Sequence, residues 1–444
     1  MKHKKSRFVY ETMYNGKCIY YHSLNDYFII LNSVEEQKKF NILMKEPLKL
    51  QKEMPGFFKS LKNNGFIIED GIDELDEIRL KNKLAVFSDK NYWLTINPTL
   101  NCNLNCWYCD QSTFSKQAMN SDTVKNIKNH LLLMIKNNYI SGLHLDWFGG
   151  EPLLYFDEVV YPISVYANEL KSEYNLFSFI NHATTNATCI NVEMCKKFNE
   201  INLRSFQITV DGSEEKHNKV KNINGKPTYK TVVNNINYIL DFISHSSVTL
   251  RINFEDFTLI DAEALFNEFP KDKRSRIKID FQRVWQTTKT KFEKNEKLLD
   301  LLYLTHDLGY NVQYTPLSPR YFHTCYCDRF YHLNINYDGS LYKCPGDITP
   351  GKSKKNKVGV LNSEGNIIWN NNLLNKRVAK ATFENKNCLN CKFLSFCYGP
   401  CSKKQDLFTS NKVPFKSICY KYSHEISLDD YLVFLAYKKG LIEN

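Results

Sequence analysis

Nowhere in the 444 residues do apolar side chains approach 18 in an uninterrupted row, which argues against a membrane-spanning helix. The opening MKHKKSRFVYE is basic but runs into Tyr10 and Glu11 where a signal peptide would have an apolar core, so a cytoplasmic setting is expected. In that compartment glutathione keeps ordinary thiols reduced, and the fourteen cysteines read as ligands or catalysts, not disulfides. One more thing is missing. The stretch NCNLNCWYCD at 101–110 sets Cys102, Cys106 and Cys109 in CxxxCxxC spacing and has no fourth cysteine.

A hydrophobic content of 43% is enough for buried cores in two or three domains. The formal charge of +11 could suit phosphates, but the basic residues look scattered, and the densest cluster, GKSKKNK at 351–357, reads as a solvated loop. Nucleic acid is therefore not expected as a partner, and an acidic peptide fits better.

Three zones follow one another. In RFVYETMYNGKCIYYHS an Asn-Gly turn separates two strand-like halves, and DYFIILN supplies a third strand. Ser33, with Glu36 three residues on, has the capping-box spacing that opens a helix. A second helix, Gly65 and a short strand complete a winged-helix-like unit of roughly 80 residues, and 73–83 form a helical connector. From Tyr92 the rhythm becomes strand then helix. Six apolar or β-branched runs (YWLTINPT, LHLDWFGG, FSFINHATTN, SFQITVDG, VTLRINFE and IKIDFQRVW) alternate with helix-like segments, predicting right-handed crossovers and a parallel sheet curled into a partial barrel. The cysteine loop, Gly149-Gly150-Glu151, TTNAT and VDG then fall on one rim, at the carboxyl ends of the strands. Beyond about residue 316 the periodicity fades and Cys325, Cys327, Cys344, Cys388, Cys391, Cys397, Cys401 and Cys419 take over, a density that calls for metal in place of a core. A helix at 426–444 closes the chain. The expected fold is thus α/β, a partial (β/α)6 TIM-like barrel at 89–315 between an N-terminal unit at 1–88 and a cysteine-rich domain at 316–425.

Thiolates bind zinc or iron-sulfur clusters, and a closed structural site uses four ligands. Three on one loop leave a coordination position open for a substrate. Random placement of fourteen cysteines would give this spacing only about 0.01 times. The alternatives are packed thiols on a turn or a zinc site that borrows a distant fourth ligand.

CxxxCxxC with Tyr108 before its last cysteine, after a first barrel strand and followed by GGEP, resembles the radical S-adenosylmethionine (SAM) superfamily. The arrangement Gly339-x4-Cys344, then CxxC-x5-C-x3-C at 388–401 and a last Cys419, resembles the SPASM domain. The resemblance covers about residues 92–425. It implies a SAM-binding [4Fe-4S] cluster on Cys102, Cys106 and Cys109, with SAM on the open iron, and two auxiliary [4Fe-4S] clusters. Cys344, Cys401 and Cys327, with or without Cys325, would hold the nearer one; Cys388, Cys391, Cys397 and Cys419 would hold the outer one. If only one of Cys325 and Cys327 ligates, the nearer cluster keeps an iron free for a substrate thiolate. Cys18, Cys189 and Cys195 remain as ordinary thiols. SAM contacts are implied for Tyr108, Gly149, Gly150, Glu151, Asn186, Thr209 and Val284, and for Lys221, which stands where the family has an Arg, ten residues after Asp211.

SPASM enzymes commonly act on peptides. Pro345 occupies the place of the Asp base of sulfatase-maturing enzymes, and the N-terminal unit resembles elements that grip leader peptides. The expectation is a maturase that forms a thioether or carbon-carbon crosslink in a ribosomally made precursor peptide with a leader, driven by a one-electron reductant such as flavodoxin or ferredoxin. The alternatives are a formylglycine-forming sulfatase maturase and, from another class, a zinc-stapled peptide-binding protein without catalysis.

Overall fold

The computed structural model of the protein describes residues 2–87, 90–109, 117–137, 139–255, 258–287, 293–317, 325–348, 353–422 and 424–443. After a short β1 (His3–Lys5), β2 (Val9–Tyr14) and β3 (Lys17–His22) form a hairpin through Asn15 and Gly16, whose φ values of 47° and 76° are what a tight two-residue hairpin turn needs. β4 (Tyr27–Leu31) pairs antiparallel with β3, giving a three-stranded sheet. The helix α1 (Val34–Lys45) begins as expected: Ser33 Oγ accepts from the Glu36 N–H at 3.1 Å, and the Glu36 carboxylate accepts from the Asn32 N–H at 2.8 Å. α2 (Pro47–Glu53), α3 (Pro55–Asn63) and β5 (Ile67–Glu69) follow; β5 pairs with β1, a strand the sequence reading lacked. α4 (Glu74–Phe87) is the connector.

The six anticipated strands are all present: β6 (Asn91–Ile96), β7 (Gly142–Trp147), β8 (Ser178–Thr185), β9 (Leu203–Thr209) and, after the two-residue hairpin strands β10 (Asn222–Ile223) and β11 (Lys226–Pro227), β12 (Ser247–Phe254) and β13 (Ile277–Arg283). They are parallel and lie in chain order, with β14 (Asn311–Gln313) added beside β13. Alternation sorts each strand. Leu94, Leu145, Ala183, Phe206, Leu250 and Ile279 enter the main core together with the crossover helices, whereas Thr95, Asp146, His182, Gln207, Arg251 and Asp280 occupy the opposite face. The result is a partial barrel with a polar interior; among the described residues its sheet does not close.

On its other side β6 pairs in parallel with β15 (His332–Ile335), with Trp93 opposite His332. β16 (Ser340–Tyr342), β17 (Gly359–Leu361) and β18 (Ile367–Trp369) continue the sheet antiparallel to a total of eleven strands. The cysteine-rich region is thus stitched to the barrel through strands too short to announce themselves. In the lysine-rich stretch, Gly351 and Lys352 lie outside the described residues, and Ser353–Asn356 form a helical turn where a loop was expected. The N-terminal hairpin also docks on this region. The Tyr10 hydroxyl donates to the Lys392 carbonyl, Arg7 to the Leu389 carbonyl at 2.8 Å, and Ser23 and Ser395 share a hydrogen bond. Phe8 packs with Phe383, Cys388 and Tyr398. No described helix is long and apolar enough to cross a membrane.

Candidate active site

The cysteine loop leaves β6 and is held from below by the turn that ends β7. The Gly150 N–H donates to the Thr99 carbonyl at 3.0 Å and the Glu151 N–H to the Asn101 carbonyl at 2.8 Å, so the two loops are zipped together just before Cys102. Glycine is required there. Gly149 has φ +115°, and a Cβ on Gly150 would stand 2.0 Å from the Asn101 oxygen.

Above this junction lies a cavity of about 440 Å³, walled by Cys102, Cys106, Cys109, Tyr108, Gly149 and Gly150, with Asn186, Thr209, Lys221 and Val284 around them. Ten of the eleven predicted residues of the SAM site therefore meet at one opening on the carboxyl rim. Glu151 is the exception, being fully buried. Its carboxylate accepts from Thr185 Oγ1 and the Asn186 N–H, both at 2.7 Å, and from the Leu153 N–H at 3.0 Å. Burial pushes its carboxyl up, and those three donors partly oppose the shift.

The three thiols are not alike. Cys106 is buried, Cys102 half-buried and Cys109 exposed. Burial pushes Cys102 up to about 11, with the neighbouring carboxylate and thiols adding to the shift, and it raises Cys106 despite the adjacent Lys221. Asn186 Nδ2 points at Cys102 Sγ at 3.6 Å and Lys221 Nζ at Cys106 Sγ at 3.4 Å. Burial opposes the Lys221 charge, but Asp211, Tyr108 and Cys106 outweigh it and hold the ammonium well above its ordinary range. Tyr108 is fixed by its hydroxyl on Asp211 at 2.6 Å and by Gln286, which donates to its carbonyl at 2.6 Å.

Sequence reasoning missed part of the wall: Phe148, Gln207, Arg251, Asn253, Gln282 and Trp285 also face the cavity. A signal existed for most of them, because Gln207, Arg251, Asn253 and Gln282 sit at the polar positions of alternating strands. Pro345 and Gly346 reach the same cavity from the cysteine-rich region.

Eight of the remaining eleven cysteines gather in two groups. Cys327 is within hydrogen-bonding reach of both Cys325 and Cys344, and Cys401 senses Cys325 and Cys344. The hydrogen bond from Cys327 lowers the Cys344 thiol against the effect of burial. In the second group Cys388 senses Cys419 and Cys391, while Cys391 and Cys397 flank Tyr10. Cys195 is a core thiol; Cys189 lies at 3.8 Å from Asn103 Nδ2, beside the cysteine loop. All fourteen cysteines are free thiols. Among the described residues no three His, Cys, Asp or Glu side chains converge on a single metal ion. Thiols grouped more loosely suit a cluster, in which each thiolate takes its own iron, so the donor set fits iron-sulfur chemistry.

Residues 96–269 match the Radical SAM superfamily. The chain thus carries a radical SAM domain over those residues, and members of that superfamily use a [4Fe-4S] cluster and SAM. It is similar over 384 residues, at 23% identity, to the radical SAM cyclopropyl synthase TigE of Paramaledivibacter caminithermalis, covering 76% of this chain and 74% of that protein. An uncharacterized protein of Methanocaldococcus jannaschii is 33% identical over 135 residues, 30% of this chain but only 44% of the relative's length. Among solved structures, anSMEcpe with bound AdoMet and Cp18Cys peptide aligns with a TM-score of 0.59 at 18% identity, over 79% of this chain and 99% of that one. SuiB of Streptococcus suis bound to precursor peptide SuiA aligns with a TM-score of 0.50 at 16% identity, over 92% and 97%. At these identities the structural likeness is one of fold.

Proposed function

We propose that the protein is a peptide maturase that uses SAM to abstract hydrogen from a ribosomally made precursor peptide and forms a thioether or carbon-carbon crosslink in it. The observation that carries this reading is the convergence of three loop thiols, the glycine turn, Asn186 and Lys221 on one cavity at the carboxyl ends of parallel strands. Cys102, Cys106 and Cys109 would hold a [4Fe-4S] cluster, which would supply the one electron needed for reductive cleavage of SAM to methionine and the 5′-deoxyadenosyl radical that abstracts the peptide hydrogen.

The chain's own residues do the rest. Asn186 and Lys221 donate to thiol sulfurs and fix the loop. The Tyr108–Asp211 pair locks the aromatic wall, and Phe148, Val284 and Trp285 give the cavity its apolar lining. Arg251, Gln207 and Gln282 offer donors and acceptors to a peptide backbone.

Two groups of four thiols support a reading with two auxiliary clusters, Cys325, Cys327, Cys344 and Cys401 for the nearer and Cys388, Cys391, Cys397 and Cys419 for the outer. The N-terminal unit would take the leader by strand addition to β4, one of the two edge strands of its sheet. A relative named as a cyclopropyl synthase supports the carbon-carbon branch. Formylglycine formation is less well supported: Pro345 lines the cavity, while Asp347 is buried against Asn356 at 3.3 Å and Arg377 at 4.0 Å.

Anaerobic reconstitution should load about twelve irons per chain, against two or three zincs for a non-catalytic binder. Dithionite and SAM should then release deoxyadenosine, and a co-expressed precursor should lose two hydrogens by mass spectrometry. Replacing Cys102, Cys106 and Cys109 by Ala should abolish both signals. A wild-type protein free of iron after reconstitution sinks the reading.

A further inference from the structure

The chain's positive charge is not spread evenly. Residues 316–425 hold seventeen Lys and Arg against seven Asp and Glu, whereas the other residues hold 42 against 41. Nearly the whole excess of +11 therefore sits on the cysteine-rich quarter, a correction to its scattered look in the sequence.

That region borders two adjoining cavities of about 240 and 430 Å³, which share Arg377, Lys380, Thr382 and Ser402. Together they form a groove between α4 and the cysteine-rich region. Its floor is next to the thiols in the chain: Asp328 follows Cys327, Ser402 follows Cys401, and the two side chains hydrogen-bond to each other. Arg377, with only 11% of its side chain exposed, lies at 4.0 Å from both Asp347 and Asp406 and is close enough to Cys344 and Cys327 to be influenced by them. The outer lip is different. Lys83, Lys376 and Lys380 are all exposed, and of the groove's carboxylates Glu384 is taken by Arg79 at 2.8 Å while Asp406 lies 3.4 Å from Lys376. Asp347 and Asp328 compensate most of the buried guanidinium's charge, and Cys344 and Cys327 add to it. The lysines on the lip, by contrast, are exposed to solvent, where their charges reach a partner.

We propose that this groove is the docking surface of a small acidic one-electron carrier protein of the flavin-bearing kind. The inference rests on the auxiliary-cluster reading above. A carrier seated here rests on a path through Asp328 and Ser402, the residues next in the chain to Cys327 and Cys401. The carrier would give up one electron to an iron-sulfur group that Cys325, Cys327, Cys344 and Cys401 would hold, with no proton or atom moved. A basic rim around that path steers an acidic partner and sets the encounter rate more than the final grip.

The test measures binding of a purified acidic flavodoxin to the reconstituted full chain at 20 and 300 mM salt, beside a triple variant Lys83→Glu, Lys376→Glu, Lys380→Glu. Wild type should bind, with affinity falling steeply as salt rises, and the variant should bind at least tenfold more weakly at low salt. Its iron content and its deoxyadenosine release with dithionite should be unchanged, since none of the three lysines touches the SAM cavity. Equal binding by the variant, or no flavodoxin binding by wild type, overturns the proposal. So does a short DNA duplex that binds more tightly than flavodoxin and loses that binding in the variant, which would make the groove a nucleic-acid surface. Loss of dithionite-driven cleavage in wild type would instead count against the maturase reading, so the two failures are distinct.

Discussion

Gly150→Ala isolates the junction on which the SAM site depends. The added methyl would meet Asn101 O at 2.0 Å, Asn101 C at 2.5 Å and Leu100 C at 2.8 Å, all backbone atoms that cannot rotate away. Overpacking of this kind costs about 1–3 kcal/mol, and at this position the strain is relieved by separating the two zipped loops. Each 1.4 kcal/mol is a tenfold shift, so the loop geometry that presents the three cysteines would be disfavoured by roughly 5- to 150-fold. The eight cysteines proposed for the auxiliary clusters lie elsewhere, so on that reading iron should fall from about twelve toward about eight per chain. Deoxyadenosine release should drop by at least an order of magnitude. Iron and sulfide analysis after identical reconstitution, with EPR of the reduced protein, reads both. A Gly150→Ala protein with its full iron complement and undiminished SAM cleavage would refute the argument that this close approach builds the site.

Other expectations follow from single contacts. Lys221→Met removes an ammonium from Cys106 Sγ; losing roughly 1–2 kcal/mol of charge-assisted bonding should lower the midpoint potential of the SAM-binding cluster by about 40–90 mV, whereas Lys221→Arg should restore most of it. An unchanged potential in an EPR-monitored titration would disprove the contact's role. Cys391→Ser should cost about four irons. It should also speed proteolysis of the N-terminal hairpin, because Tyr10, Arg7 and Ser23 are bonded to residues 389–395. Burial lowers His22 to about 4. The unfolded chain, with an ordinary value near 6.5, binds more protons between those pH values, so stability falls as pH drops from 6.5 to 4, by up to about 3 kcal/mol from this residue. Thermal melts of wild type and His22→Gln over that range should converge toward low pH, and parallel curves would show the assignment wrong.

Legibility in the sequence tracked the strength of local signals. The Asn15-Gly16 turn, the Ser33 cap and the six alternating strands each carry a short-range preference that tertiary structure only had to obey. The thiol loop was legible for another reason: no packing role explains three cysteines at that spacing. β15 to β18 were missed because strands of three or four residues have no period to read, and they exist through pairing with β6 and with one another. Glu151 was assigned to SAM from its motif alone, and nothing in the sequence says that Thr185 and two backbone amides surround its carboxylate. The basic groove was invisible because α4 and residues 377–384 meet only in three dimensions.

The pairing of Trp93 with His332 also sets a timetable for synthesis. At ribosomal speeds of about 5–20 residues per second, β6 emerges and then waits on the order of 10–50 s for the partner of its second edge. Until then the nascent barrel exposes an open ladder flanked by unloaded thiols, so a chaperone or early metal delivery has its chance to act before the last quarter of the chain leaves the ribosome.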